Sequence, residues 1–242
     1  MTALPRAVGA ELMDEPEVDP GELARSLRDL RGVNRWLGGT RVVLRHLGGM
    51  IQRLPIGSCT VLDVATGSAD IPLVLARWAR AHRLRVRVTA TDNHPRTLAL
   101  AREHAAADPD VRVELADALD LPYDRSAFDF ALCSTALHHF RDGDAMRVLR
   151  ELDRVARWGV VVNDLRRSRP ALLGARLLAA TLWRSHPVTR HVGPLSVRRS
   201  FTPVELLDLA GRAGIEGARV HTHLPFRLAL VVDRTGGVRA GG

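Results

Sequence analysis

The decapeptide Val61-Leu62-Asp63-Val64-Ala65-Thr66-Gly67-Ser68-Ala69-Asp70 decides how this chain folds. With Cys59 and Thr60 its first half forms a short apolar run, predicted as a strand over 59–64. Its second half is a turn of small residues, and 71–82 reads as a helix with Pro72 tolerated in the first turn. The unit is thus strand, tight turn, helix. A small-x-Gly-x-small turn lets a ligand approach the backbone closely. The helix beginning near Asp70 aims its N–H groups at whatever sits there.

The same alternation extends outward. Strands are predicted over 85–91, 111–115, 128–133 and 159–162, with helices over 95–107 and 142–157 between them. Strands alternating with helices mean parallel βαβ units and a doubly wound α/β sheet. Upstream, Leu23, Leu27 and Leu30 share a helical face. A break at Gly32 leads into Asn34-Arg35-Trp36-Leu37-Gly38-Gly39 and a second helix over 41–53. Residues 1–20 read as loose. Downstream, 170–184 is a strongly apolar helix, and 185–202 is rich in His, Arg, Pro and Ser without a regular pattern. Order returns at Thr202-Pro203-Val204-Glu205, which combines an N-cap, a proline at the first helical position and an acid in the first turn. Two strands, 218–223 and 227–232, close the chain. The predicted organisation is an N-terminal helical cap (1–55), a ligand-binding core (56–165), a helical insertion (166–202), a segment completing the core sheet (203–235) and a flexible tail (236–242).

In open parallel sheets, ligands bind beyond the carboxyl ends of the strands. Those ends carry Asp63, Asp92, Asp117, Ser134 and Asp164. Asp92 stands where an acid binds both ribose hydroxyls of a nucleoside. A dinucleotide fingerprint would be G-x-G-x-x-G. Here the order is Ala65-x-Gly67-x-Ala69 followed by Asp70, a carboxylate that would repel a pyrophosphate. A ligand with an amine and a ribose but no phosphate fits better, and S-adenosylmethionine (SAM) has those groups.

These residues resemble the motifs of class I SAM-dependent methyltransferases. Asp63 to Asp70 is similar to motif I, closest to its form in the ubiquinone/menaquinone biosynthesis methyltransferases, with Ala69 at the place of the third glycine. Thr91-Asp92-Asn93 resembles motif II, and Ala116-Asp117-Ala118 resembles motif III. Phe128-Asp129 through Leu137-His138-His139-Phe140 resembles the fourth strand and its loop, and Asn34 to Gly39 the segment ahead of the sheet. The resemblance implies a Rossmann-like, mostly parallel seven-stranded sheet, SAM as cofactor and a methyl-transfer activity. It places Asp63, Thr66 and the Ala65 and Gly67 backbone at the methionine end. It puts Asp92 on the ribose, and Asn93, Asp117 and Ala118 at the adenine. Ser134 falls beneath the methionine end.

Methyl transfer from a sulfonium is an in-line displacement, and a phenol or enol nucleophile gains from losing its proton. His138 and His139, after the fourth strand, are the candidate bases. The other reading is that they shape the pocket and proximity alone does the work. The apolar helix over 170–184 has three open roles: lining a pocket for an aromatic or lipophilic acceptor, touching a membrane surface, or forming a homodimer contact. Arg166, Arg167, Arg169, His186, Arg190 and His191 flank it and would suit an acidic group. His221 and His223 share one strand face; without a third ligand in the sequence no metal is assigned, and facing the substrate is the alternative.

Composition narrows the classes. Apolar residues make up 46% and aromatics 4%, so a sizeable aliphatic core is available and a disordered or fibrous chain is excluded. The 35 basic residues against 27 acids give +8, and every basic residue is arginine. Without lysine, Schiff-base and P-loop chemistry are both ruled out. The arginines are scattered through helices without interleaved aromatics, which speaks against nucleic acid as partner. The loop after the fourth strand, Cys133-Ser134-Thr135-Ala136-Leu137, lacks the Pro-Pro-aromatic signature of base-methylating enzymes. The two cysteines form no motif and fit a reduced, cytoplasmic setting; no secretion signal or membrane span is read. The resulting expectation is a methyltransferase acting on oxygen or ring carbon of a small phenolic, quinone-like or polyketide-derived acceptor of secondary metabolism. An RNA methyltransferase, a nicotinamide oxidoreductase (disfavoured by the glycine order) and a non-catalytic SAM-binding protein are the alternatives.

Overall fold

In the computed structural model, residues 4–7, 19–55 and 57–237 are described. Five parallel strands form the centre: β1 (Ser58–Val64), β2 (Arg85–Asp92), β3 (Val111–Leu115), β4 (Phe128–Ser134) and β5 (Ala156–Leu165). β7 (Arg227–Asp233) pairs antiparallel with β5, and β6 (Arg219–His223) antiparallel with β7 at the edge. The order β3-β2-β1-β4-β5-β7-β6 reverses direction between β1 and β4. That is the switch point at which such sheets open a crevice. The Rossmann-like, seven-stranded, mostly parallel sheet is therefore present as expected.

Period-two alternation divides the sheet's side chains between two helical layers. Phe130 and Leu132 of β4 join the layer of α2 (Gly39–Val43), α3 (Gly49–Gln52), α4 (Asp70–Ala81) and α5 (Pro95–Ala105). Ala131 and Cys133 join the layer of α6 (Asp142–Val155) and α9 (Pro203–Arg212). Cys59 and Cys133 are both buried free thiols. The capping box read at Thr202 and Glu205 is formed.

Three expectations are corrected. The first helix, α1 (Pro20–Trp36), runs through Gly32 without a break and ends at Leu37, followed by Gly38 in the left-handed region at φ 86°. Gly32 costs about 1 kcal/mol of helix propensity, less than burying Leu23 and Leu27 on one helix face returns. Second, residues 185–202 hold a helix, α8 (Pro187–Arg199), packed against α7 (Arg169–Ala180). Third, residues 4–7 are held rather than loose: Arg6 Nε donates to Arg199 O at 2.6 Å and Leu4 packs beside α7. The rest of 1–18, and 238–242 of the expected tail, lie outside the described residues.

Candidate active site

The turn after β1 is built on three alternate left-handed residues, Ala65, Gly67 and Ala69, each with φ between 56° and 58°. Only glycine adopts this conformation without a Cβ penalty, so the two alanines store strain of about 1 kcal/mol or more each. The turn is fastened from all sides. Thr66 N–H donates to Thr91 O at 2.8 Å, and Gly67 N–H to Asp92 Oδ2 at 3.0 Å. His104 of α5 lies 2.7 Å from Ser68 O.

Asp63 is fully buried at the penultimate position of β1. Thr66 Oγ1 donates to its Oδ2 at 2.6 Å, while its Oδ1 has no hydrogen-bond partner among the described residues. Burial, with the charges of Asp70 and Asp92 behind it, pushes the carboxyl up to about 7 despite the Thr66 bond. A buried acceptor oxygen without a donor costs free energy until a donor arrives. The ammonium of a methionine moiety is a donor of the right charge. Asp92, last residue of β2, also accepts His94 N–H at 3.0 Å, so both carboxylate oxygens are held in place by backbone N–H groups. Asp117 lies exposed two residues past β3 with Leu119 N–H on its Oδ1, beside exposed Asn93 and buried Ala118. Ser134 closes β4, where its Oγ accepts from Asn163 Nδ2 at 2.8 Å. The strand-end residues thus stand along one rim of the sheet. Their donor set fits a nucleoside carrying an amino acid and no phosphate.

Across this rim lies α1. Leu27 Cδ2 would be 3.6 Å from a Cβ at Gly67, and Asn34 Nδ2 donates to Asp70 Oδ2 at 3.1 Å. Asn34 and Thr135 are tied to Arg227, a wholly buried residue of β7. Its Nη1 donates to Thr135 Oγ1 at 2.8 Å, its Nη2 to Asn34 Oδ1 at 3.2 Å, and its Nε to Leu37 O at 3.3 Å. Burial lowers its pKa to about 10, opposed by Asp164 and Asp70, so it stays a cation at neutral pH. The segment around Asn34 is legible in the sequence as a motif. Arg227 carries no local signal, because its partners lie roughly 90 to 190 residues away.

Beside the rim, α1, α7 and α8 enclose a cavity of about 350 Å³. Leu30, Val33, Leu178, Trp183 and Phe226 line its walls, and Thr135, His138 and His139 its inner end. The two histidines differ. His138, 1% exposed, holds its Nδ1 2.7 Å from Asp164 Oδ1, and its backbone N–H donates to Asp164 Oδ2 at 3.0 Å. Burial works to raise the Asp164 carboxyl. The charge and hydrogen bonds of His138 and the Leu165 N–H outweigh it and hold the carboxyl below its ordinary value. A carboxylate only accepts, so Nδ1 carries the hydrogen and Nε2 is the basic nitrogen. His139 is half-buried, with its ring centroid 4.5 Å from that of His138.

The flanking cations do not serve the cavity as a group. Arg167 is buried against Leu4 O, Ser200 O and Glu205, and His186 bonds Asp29 at 2.7 Å. Neither His221 nor His223 lines the cavity; both stand on β6 beside His46. Among the described residues no group of three or more ligating side chains is arranged to hold a metal.

Fold and rim together define the class of SAM-dependent methyltransferases of class I, and residues 61–159 match the family described as "Methyltransferase domain". The match covers less than half of the chain. Among individual proteins, the chain is 39% identical over 83 residues to a demethylmenaquinone methyltransferase of Deinococcus radiodurans, covering 34% of this chain and 33% of that one. It is 32% identical over 117 residues to a demethylmenaquinone methyltransferase of Bacillus mycoides, covering 48% and 47%. The similarity spans about a third to a half of these relatives. In three dimensions it resembles a SAM-dependent methyltransferase from Aquifex aeolicus with TM-score 0.61 at 19% identity, over 89% of this chain and 98% of that one, a likeness of fold.

Proposed function

We propose that this protein methylates a small apolar acceptor at a hydroxyl, or at a ring carbon made nucleophilic by ionising one, with SAM as donor. The observation that carries the reading is the meeting of two compartments. A rim of carboxylates suited to SAM adjoins an aliphatic cavity whose inner end holds a paired histidine. Asp63, with Thr66 and the Ala65 and Gly67 backbone, would hold the methionine end. Asp92 would hold the ribose, and Asn93, Asp117 and Ala118 would surround the adenine, with Ser134 behind. Bound there, SAM supplies an electrophilic sulfonium methyl. The chain supplies the rest. The apolar walls exclude water and leave the acceptor little freedom to turn. Asp164 fixes the His138 tautomer, so that His138 Nε2 removes the acceptor's proton as the nucleophile forms. His139 is assigned a supporting place in the wall. The relatives' names favour a quinone-type acceptor within this class.

Transfer of labelled methyl from SAM to resorcinols, naphthoquinols and RNA tests the reading. Label is expected on a phenolic or quinol acceptor and not on RNA. Replacing His138 by Ala is expected to slow turnover by about 10²-fold or more while SAM binding persists. Undiminished turnover would leave proximity as the whole of catalysis.

A further inference from the structure

The cavity opens onto an unusual surface. Eight large hydrophobic side chains are exposed among the described residues, and five of them are Trp36, Leu173, Leu177, Leu182 and Leu224. Each lines the cavity itself or lies within a residue of one that does: Leu37, Gly174, Trp183 and Pro225 line it, and so does Leu177 although it is 63% exposed. Single exposed leucines are ordinary, but five gathered around one opening form a patch.

Helix α7 gives the patch its character. Its inner face buries Ala171, Leu172, Ala175 and Ala179. Its outer face presents Arg169, Leu173, Arg176 and Leu177, all exposed, at spacings of four, three and one along a single stripe. The helix is therefore apolar on both sides, with arginines set among the outer leucines. Residues 166–199 contain no Asp or Glu and eight arginines; Arg167 and Arg199 are buried, while Arg169, Arg176, Arg184, Arg190 and Arg198 are exposed. Arg35 adds an exposed guanidinium 5.1 Å from the Trp36 ring, and Arg184 another between α7 and α8. The nearby carboxylate of α1, Asp29, is taken by His186 and Thr189. Leucines to enter an apolar phase, a tryptophan at its border and arginines to meet anionic groups make the signature of an interfacial surface.

We infer that this face docks on an anionic lipid bilayer, with the outer stripe of α7 in the headgroup layer and the cavity mouth facing the acyl phase. A second copy of the chain is the competing occupant. A two-fold contact would set arginine-rich face against arginine-rich face and close both cavities, so charge favours the lipid. Among the described residues no helix is long and apolar enough to cross a membrane. The contact is thus peripheral, and it stands whether or not the acceptor assignment above is right. If that assignment holds, a lipid-soluble acceptor reaches the cavity without entering water.

Flotation of the full chain with vesicles tests it. Vesicles of phosphatidylcholine and phosphatidylglycerol, at about 7:3, are expected to carry the protein, and vesicles of phosphatidylcholine alone to carry much less. Leu173→Glu combined with Leu224→Glu, two exposed side chains outside the cavity wall, is expected to lower the partition by about tenfold or more with the thermal unfolding midpoint unchanged. Trp36→Phe is expected to remove the vesicle-induced blue shift of tryptophan emission. Equal flotation of parent and double variant overturns the inference, as does failure of the parent to bind anionic vesicles. A concentration-dependent dimer abolished by the same double variant also overturns it and assigns the face to a second copy.

Discussion

Asp63 concentrates the electrostatics of the rim in one carboxyl. With its pKa pushed up to about 7, mainly by burial, it is close to half protonated at neutral pH while one oxygen lacks a donor. An ammonium placed against it would favour the ionised form and draw the pKa down. Binding at pH 7 would then expel a proton in about half of the molecules. Calorimetry with S-adenosylhomocysteine, run in two buffers of different ionisation enthalpy, is expected to show this release. Affinity should climb with pH between about 5 and 7 and level off above. Asp63→Asn should abolish the release. Binding with no proton exchanged would remove Asp63 from the methionine end. In stability terms the sign is opposite. A carboxyl raised in the folded state stabilises fully below its unfolded pKa near 4 and loses that contribution as pH rises through 7. The free protein thus gives up stability at neutral pH at the point where a cationic ligand restores it.

At the scale of elements, the strands were readable because β1, β4 and β5 are local apolar runs, while β2 and β3 alternate polar and apolar residues, each bounded by its own turn. The helices that roof the cavity were less so. In α8 the buried positions Thr189, Val192, Ser196 and Val197 keep helical spacing. Two are hydroxyl residues, and Pro187 and Pro194 interrupt the pattern, so composition masks the period. Asp164 was visible as a strand-end acid. Its bond to His138 was not, because it joins β5 to the loop after β4 across the sheet. The π-helical turn Leu44–Gly48 shows the same limit. It carries His46 to within 2.8 Å of His223 on edge strand β6, joining segments 177 residues apart. Burial first, then the charges of His221, His223 and Arg45, lowers the His46 pKa to about 4. His223 is lowered too, by burial and by Arg45 and His221. Between pH 6.5 and 4 the unfolded chain takes up protons that folded His46 refuses, so stability present above 6.5 drains away as pH falls through this window. His46→Gln is expected to flatten the acid limb of the melting temperature between pH 7 and 4.5, in part, since His223 still titrates. Parallel limbs for parent and variant would show that the histidine cluster does not sense pH.

Across the whole molecule, α1 serves both compartments: Leu27 lies over the Gly67 turn, while Leu30 and Val33 wall the cavity. Arg227 ties the end of α1 there. A lone buried cation is expensive, and among the described residues no carboxylate lies within hydrogen-bond reach of this one. It is solvated by α1 itself, through the Leu37 carbonyl just past the helix end, the Val33 carbonyl at 3.5 Å and the Asn34 side chain. Carbonyls at a helix C-terminus carry partial negative charge, so they suit a guanidinium even where, like Val33 O, they already accept the Leu37 N–H. The fork geometry also lets one side chain hold three acceptors and Thr135 at once. Gly39 leaves the room required, since a Cβ there would sit 2.7 Å from Asn34 Oδ1 and 3.1 Å from Arg227 Nη2. Arg227→Met keeps the bulk and strands the Leu37 carbonyl, while Val33 O keeps the Leu37 N–H and Asn34 Oδ1 keeps the Thr135 hydroxyl. A loss of about 1–3 kcal/mol in urea unfolding is expected, the cost of one buried acceptor left unpaired. Arg227→Lys should recover little, because an ammonium cannot span the same acceptors. The discriminating measurement is hydrogen exchange. Amides of α1 should lose protection in Arg227→Met while those of β1 and β4 keep theirs, and affinity for S-adenosylhomocysteine should fall with them. If α1 stays as protected as in the parent, its apolar face alone holds it over the site.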